Sequence, residues 1–368
     1  MEPLDRQQRG IPSAVEYFKV KNAFGWYNCA RPQVLKLLAD KQYGQLPPRP
    51  ENVVFRMMKE RRGLAEGKVR CCEYQVTLFN AGREFRFPAT VYLPERGEVK
   101  LAVAALTFWG LPRMDDEPER LPIGQLADAG VAVGFVCCSD VYLDKDLPEA
   151  RKESIWRIYG DVDGSDRRYT AISAWAYAQQ LLYDLLRSRP ECRECDIWAQ
   201  GHSRLGKTTL WAVANDPRFA GAVSNQSGCG GAALYRGKRG EDIDKIVTRF
   251  PYWFVPELDK YRHREYELPW DQHWLIAAIS PRPVLITSAA EDAWADPENE
   301  FRSAVAAGEA YRLFGVPGID PGTAFPDVNT PVFTPGIGYY VRDGKHTVRH
   351  EDWQFFLKFV KFNCGTDR

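Results

Sequence analysis

Residues 196–214 read DIWAQGHSRLGKTTLWAVA: a short apolar run, a sharp turn at Ser203, then a helical pattern. A serine at such a strand-to-helix turn is lifted above the end of a sheet. The N–H groups that open the helix lack intrahelical partners, so they are placed to hold an oxyanion. The spacing departs from the usual GxSxG, because Gly201, His202, Ser203 and Arg204 are followed by Leu205 and the second glycine arrives one place late, as Gly206. The same residues, continued by Lys207 and Thr208, satisfy GxxxxGK[ST], the phosphate-cradling loop of P-loop NTPases, which also joins a strand to a helix. Locally the two readings are equivalent.

Outward from this turn, strands and helices alternate. Upstream come LAVAALTF, a helical pattern near QLADAG, VAVGFVCC and the long helix AISAWAYAQQLLYDLLRS; downstream come AGAVSN, PRPVLITSAA and GIGYYV. Short apolar runs between helical patterns predict a doubly wound, mostly parallel sheet with helices on both faces. Earlier, CCEYQVTLF and EFRFPATVYL flank the turn residues Asn80, Ala81 and Gly82, within a β-rich region from Val53 to about Leu93, and predict antiparallel strands opening the sheet. Val34, Leu37 and Leu38 in RPQVLKLLADKQYG recur at helical spacing, so residues 1–50 form a helical preface ended by PPRP. Residues 228–271, rich in Arg, Tyr, Trp and Pro, break the rhythm and predict a lid or binding loop. The closing HEDWQFFLKFVKFNCG carries a helical stripe at Trp353, Phe356, Leu357 and Val360, with Gly365 as its stop. No boundary separates a second domain, so residues 1–368 are expected to form a single domain.

Composition narrows the function classes. Hydrophobic residues make up 45% of the chain, enough for a sizeable core. With 49 basic and 49 acidic residues there is no global field to favour nucleic acid or an anionic membrane. No apolar run approaches a bilayer span, and MEPLDRQQRG lacks a charged-then-apolar signal segment. The nine cysteines are an odd number, with Cys71, Cys72 and Cys137, Cys138 as adjacent pairs in strand-like runs, which suits buried free thiols. Cys192 and Cys195 form a CxxC, half of a zinc site at most. No HExxH or comparable cluster appears, so neither metal nor cofactor is expected. A cytoplasmic protein, acting as a monomer, is the expectation for the chain as it stands; the alternative is an exported one whose signal has been removed.

Distant residues separate the two readings of the turn. A phosphate loop calls for an apolar strand ending in a magnesium-binding Asp, and no such run follows Lys207. A serine hydrolase calls for an acid and then a histidine. Asp292 lies just after PVLITSAA and His346 lies in RDGKH after GIGYYV, giving the order Ser, acid, His of an α/β-hydrolase. Asp296 and, more weakly, Asp343 compete for the acid; His350 competes for the base but sits where the last helix begins. His263 and His273 belong to the long insertion, where packing or solvent is the default role, and His202 reads as structural.

Several separated motifs then resemble one family, in its order and across about residues 151–359: GHSRLGK, SNQSGCGGAAL, GEDIDKI, FPYWF, LPWDQH, SPRPVLI, AEDAWADP and GKHTVRHEDW, with RPQVLKLLADKQYG similar to its opening helix. The chain resembles the bacterial glucuronoyl esterases, carbohydrate esterase family fifteen. The resemblance implies Ser203 as nucleophile, His346 as general base, Asp292 as the acid that orients it and Arg204 as an oxyanion stabiliser. It also implies Lys207, Glu241 and Trp294 as contacts to the uronate ring. The partner implied is glucuronoxylan or another uronate ester, as in links to lignin alcohols; an acetyl or methyl esterase of plant polysaccharide is the alternative. Three departures stand out. Gln226 replaces a glutamate that serves some relatives as the triad acid, LTFWGLPR stands where the family has an asparagine-containing loop, so the resemblance does not carry an oxyanion role over to Trp109 and Gly110, and a glutamine is missing near Ala233.

Overall fold

The structure, a computed structural model, describes residues 10–110 and 120–364. The residues read for a signal segment (1–9), the end of the LTFWGLPR loop and Gly365 lie outside them. Ten strands form one sheet in the order β1-β2-β3-β5-β4-β6-β7-β8-β10-β9. They are β1 (Asn52–Gly63), β2 (Val69–Asn80), β3 (Arg83–Pro94), β4 (Leu101–Thr107), β5 (Val131–Cys137), β6 (Asp196–His202), β7 (Gly221–Asn225), β8 (Val284–Ala289), β9 (Val332–Phe333) and β10 (Ile337–Arg342). The run from β5 through β4, β6, β7 and β8 to β10 is parallel, while β1, β2 and β3 are antiparallel, as is the two-residue β9. This is the doubly wound arrangement that the alternating pattern calls for.

Side-chain period sorts the central strands into two layers. In β4, Ala102, Ala104 and Leu106 join the larger core, which holds the helices Ala171–Ser188, Arg204–Asn215 and Pro297–Arg312, whereas Leu101, Val103 and Ala105 face the layer of the final helix, His350–Cys364. In the second layer Trp198 packs edge-on against Phe356 and Phe359 at 5.5 and 6.2 Å between ring centres. Cys71 and Cys72 fall on opposite faces, and every cysteine whose side chain is described is a free thiol, with six of the eight buried.

Three elements differ from expectation. β1 is a twelve-residue edge strand whose alternation is hidden by Arg56, Lys59, Glu60, Arg61 and Arg62, charges that also discourage edge-to-edge pairing. The opening helix ends at Leu38 and continues as a π-helical turn to Tyr43; Val34 and Leu38 are buried but Leu37 only partly. The stretch 228–271 is not a loop hovering over the sheet. It holds the helix Ile243–Arg249 and buries Trp253, Phe254, Leu258 and Trp270 in the main core. Tyr43 from the preface stacks on Trp211 of the elbow helix at 4.8 Å and donates its hydroxyl to the Gly230 carbonyl, and Arg31 donates to the carbonyls of Ala214 and Ala278. Preface, elbow helix and insertion are thus packed as one layer, which positions Glu241 beside Lys207 and Trp253 beside Arg204.

Candidate active site

Ser203 sits between β6 and the elbow helix Arg204–Asn215 at φ 58° and ψ −127°, a positive-φ backbone that costs a non-glycine residue energy and persists at sites where geometry matters. Serine is a good helix N-cap, yet its side chain makes no capping bond here, so the hydroxyl remains uncommitted. The displaced glycine also has an explanation. A Cβ on Gly201 would lie 2.1 Å from the Leu205 carbonyl oxygen, and one on Gly206 would press at 3.0–3.2 Å on Ser227 Cβ, the Gly201 oxygen and the Asn225 oxygen. Leu205 meanwhile is fully buried in the core. The second glycine falls where the helix crosses the end of β7, one residue later than in the common motif.

Asp292 and His346 meet across 54 positions: Asp292 Oδ2 lies 2.6 Å from His346 Nδ1, while its Oδ1 accepts from the Ala295 N–H at 3.1 Å. Burial pushes the Asp292 carboxyl up, but the hydrogen bond with His346, that residue's charge and the Ala295 N–H outweigh it, leaving the group below the ordinary carboxylate range. The rival acids are elsewhere. Asp296 caps the helix Pro297–Arg312 and accepts from Arg239 N–H, and Asp343 is exposed beside Arg349. His350 opens the final helix and pairs with Glu351; His263 is exposed beside Asp244; His273 is buried against the Pro12 carbonyl. His202 lies under His346, with ring centres 4.5 Å apart, and meets Asn225 Oδ1 at 2.5 Å. Burial first, and the neighbouring His346 second, lower its pKa to about 3, so it presents a neutral floor to the ring above.

Arg204 is clamped. One guanidinium nitrogen pairs with Asp144 Oδ2, and the plane lies over Trp253, Phe250 and Phe108 at 4.7, 5.3 and 5.4 Å. Asp144 Oδ1 in turn accepts from Tyr252 OH at 2.8 Å and Trp253 Nε1 at 3.0 Å. Sequence reading missed Asp144, which lies on the loop after β5 and 60 residues from its partner. The FPYWF motif, whose Tyr252 and Trp253 hold it, was the available signal.

Lys207, Glu241 and Trp294 gather on a different side. The buried Lys207 ammonium donates to the Ser227 carbonyl and stands 4.0 Å from Glu241 Oε2, while Glu241 N–H donates to the Trp294 carbonyl at 3.2 Å. Burial lowers the Lys207 pKa, with Glu241 opposing the shift. Trp294 leaves 46% of its surface open, an aromatic face available beside two buried charges. Thr208 Oγ1 bonds the Arg204 carbonyl of its own helix, and Lys207 is turned inward, so the GxxxxGKT match does not form a phosphate cradle.

A cavity of roughly 310 Å³ opens at Ser203 and His346, walled by Leu106, Phe108, Trp109, Phe135, Val348 and Trp353, with Arg204 also lining it. None of Lys207, Glu241 and Trp294 touches this cavity. The Trp109 N–H is directed at Thr107 Oγ1, at 3.4 Å. Among the described residues no group of three or more His, Cys, Asp or Glu is arranged to hold a metal, and no helix is long and apolar enough to cross a membrane.

A nucleophile elbow on a mostly parallel sheet, with an acid after β8 and a histidine after β10, defines the α/β-hydrolase class. The family described as "Glucuronyl esterase, fungi" matches residues 76–315. Carbohydrate esterase MZ0003, from an unknown prokaryotic organism, is 33% identical over 381 residues, covering 94% of this chain and 87% of that protein. Among solved structures, a promiscuous CE15 esterase from a marine bacterial metagenome is similar at a TM-score of 0.84 and 31% identity, covering 96% of both chains. The glucuronoyl esterase from Solibacter usitatus is similar at 0.85 and 29%, covering 96% of this chain and 98% of that one. The chain belongs to the glucuronoyl esterase family, and is a carboxylic ester hydrolase.

Proposed function

We propose that the protein hydrolyses esters of glucuronic or 4-O-methyl-glucuronic acid by a covalent serine mechanism, with the uronate as the acyl part and an aromatic alcohol of the lignin type as the leaving group. The observation that carries the reading is the 2.6 Å contact between Asp292 and His346 Nδ1, at the mouth of a cavity that Ser203 also lines.

A serine hydroxyl is a weak nucleophile until a base accepts its proton. With Asp292 fixing the proton on Nδ1, His346 presents its bare Nε2 to Ser203, and the carboxylate stabilises the imidazolium that forms. Oγ of Ser203 bonds to the ester carbonyl carbon, and the carbonyl oxygen takes the negative charge beside Arg204 and the N–H groups at the start of the elbow helix. His346 then returns the proton to the alcohol oxygen as the C–O bond breaks. A water, deprotonated by the same histidine, releases the uronate from Ser203. Because the ester is neutral before attack, the Arg204 charge acts on the developing oxyanion rather than on bound substrate, the kind of differential binding that raises kcat.

The two sides of the site divide the substrate. Lys207, Glu241 and Trp294 offer charge-assisted hydrogen bonds and a ring face, as a sugar needs. The apolar cavity on the side of Thr347 and Val348, the residues that follow the proton donor, suits the alcohol. Turnover of benzyl glucuronate, acetylated xylan and p-nitrophenyl acetate tests the reading. The uronate ester should be hydrolysed with the highest kcat/KM; faster turnover of either acetyl substrate overturns the uronate assignment.

A further inference from the structure

We infer that Gln226 is a positioning residue for the catalytic base. It holds the histidine loop by its backbone.

The geometry is a two-point clasp. Gln226 Oε1 accepts from the Thr347 N–H at 2.9 Å, and its Nε2 donates to the Thr347 carbonyl, also at 2.9 Å. Thr347 directly follows His346. A primary amide can turn one N–H donor and its oxygen acceptor to the same side in one plane, which matches the N–H and C=O of a single residue, so Gln226 pairs with Thr347 as a strand neighbour would. An ionised carboxylate supplies only the acceptor half. The residue is almost fully buried and sits at φ 49°, a left-handed backbone that aims its side chain off the end of β7. Its own N–H is spent on the Thr287 carbonyl of β8 at 2.6 Å.

What makes the clasp more than packing is its place in a common frame. Asn225, the preceding residue, accepts the Ser203 N–H on its carbonyl at 2.8 Å and holds the His202 ring with its side chain. The following residue, Ser227, accepts the Lys207 ammonium. Three consecutive residues at the end of β7 therefore fix the nucleophile, the base and a sugar-side cation against one another. The loop is also held by Arg342, which donates to the carbonyls of Asp343, Lys345 and Thr347, by the Glu291 N–H on the Gly344 carbonyl at 3.0 Å and by Asp292 on His346; these come from β10 and the turn after β8, whereas Gln226 adjoins the residue that accepts the Ser203 N–H. Gln226 thereby gives the loop its register to Ser203. Loss of the clasp leaves His346 attached to Asp292 yet free to drift from the serine, and misplacement of reacting groups by about 1 Å costs on the order of 100-fold.

The inference rests on the Ser203 and His346 reading but not on the identity of the sugar, and the experiment keeps the two apart. Gln226→Met preserves volume and removes both hydrogen bonds. Its kcat on benzyl glucuronate should fall by about 10- to 100-fold with KM within about twofold, and its rate of inactivation by a fluorophosphonate, which reads serine activation without any sugar, should fall by the same factor. Wild-type kcat and phosphonate reactivity in the folded variant would overturn the assignment, as would a raised KM with unchanged kcat, which belongs to a sugar contact. Should Gln226→Met fail to fold, Gln226→Glu carries the test: with half the clasp left, several-fold losses in both rates are expected, and full rates in both overturn it. If wild type reacts with the phosphonate but not with benzyl glucuronate, the uronate reading fails while the phosphonate ratio still decides the role of Gln226.

Discussion

Replacing Asp144 asks whether Arg204 works because it is charged or because it is held. The carboxylate carries three donors: Arg204, Tyr252 OH and Trp253 Nε1. On the proposed mechanism Arg204→Ala removes a cationic donor from the oxyanion, and loss of one such donor costs about 2.7–4 kcal/mol, or about 100- to 1,000-fold in kcat. Asp144→Ala leaves the cation in place among its three aromatic neighbours but releases its fork, so part of that loss follows, about 10- to 100-fold or about 1.4–2.7 kcal/mol. In the double variant there is no guanidinium left to position. It should therefore be no slower than Arg204→Ala alone, and the coupling energy should equal nearly the whole effect of Asp144→Ala. The assay is kcat/KM on benzyl glucuronate for the four proteins, each checked for an intact thermal transition. Additive losses, to within about 0.5 kcal/mol, would refute the idea that Asp144 acts through Arg204.

Three further outcomes are expected. Asp292→Asn should lower kcat by up to about 10,000-fold with little change in KM, because the amide favours the wrong imidazole tautomer; a loss under tenfold would move the acid elsewhere. Lys207→Ala should raise KM for uronate esters at least tenfold while leaving the turnover of p-nitrophenyl acetate within about threefold, since a sugar-side hydrogen bond to a charged group contributes about 1.5–3 kcal/mol; equal losses on both substrates would tie it to the chemistry instead. Burial raises the Glu300 carboxyl to about 7, while unfolded it titrates near 4.5. The native state thus keeps a proton that the unfolded chain loses, so this group's contribution to stability is present below about 4.5 and is lost as pH rises to about 7, a difference of about 3 kcal/mol. Urea midpoints at pH 5 and 7.5 should show that decline in wild type and not in Glu300→Gln; parallel declines would contradict it.

Much of this was legible because it is written in local pattern. The apolar runs of β4 to β8 and β10 are short, buried on both faces and separated by helical periods, so the parallel sheet follows from that pattern alone. Ser203 is marked by its turn, and Asp292 and His346 by their place just after strands, which is where an α/β sheet exposes side chains. Asp296 was a fair rival because two aspartates flank Trp294; only the fold shows that one caps a helix. Other features are tertiary and leave no local trace. Asp144 is an ordinary loop aspartate until Arg204, Tyr252 and Trp253 converge on it. Arg342 looks like a charged residue ending a strand, yet it is 1% exposed, donates to three loop carbonyls and pairs with Asp352. Gln226 reads as a lost acid, since sequence shows the missing carboxylate but not the peptide unit that the amide engages. β1 falls within the β-rich region that begins at Val53 but is not marked off there as a separate strand, because solvent-facing charges on an edge strand mask its alternation.

The proposed chemistry requires a covalent bond to one hydroxyl. Acid-quenching the protein during turnover of benzyl glucuronate, then weighing and mapping its peptides, should find the uronoyl group on the peptide bearing Ser203, and none on the Ser203→Ala protein. Full turnover by Ser203→Ala, or an adduct on any other residue, would contradict it.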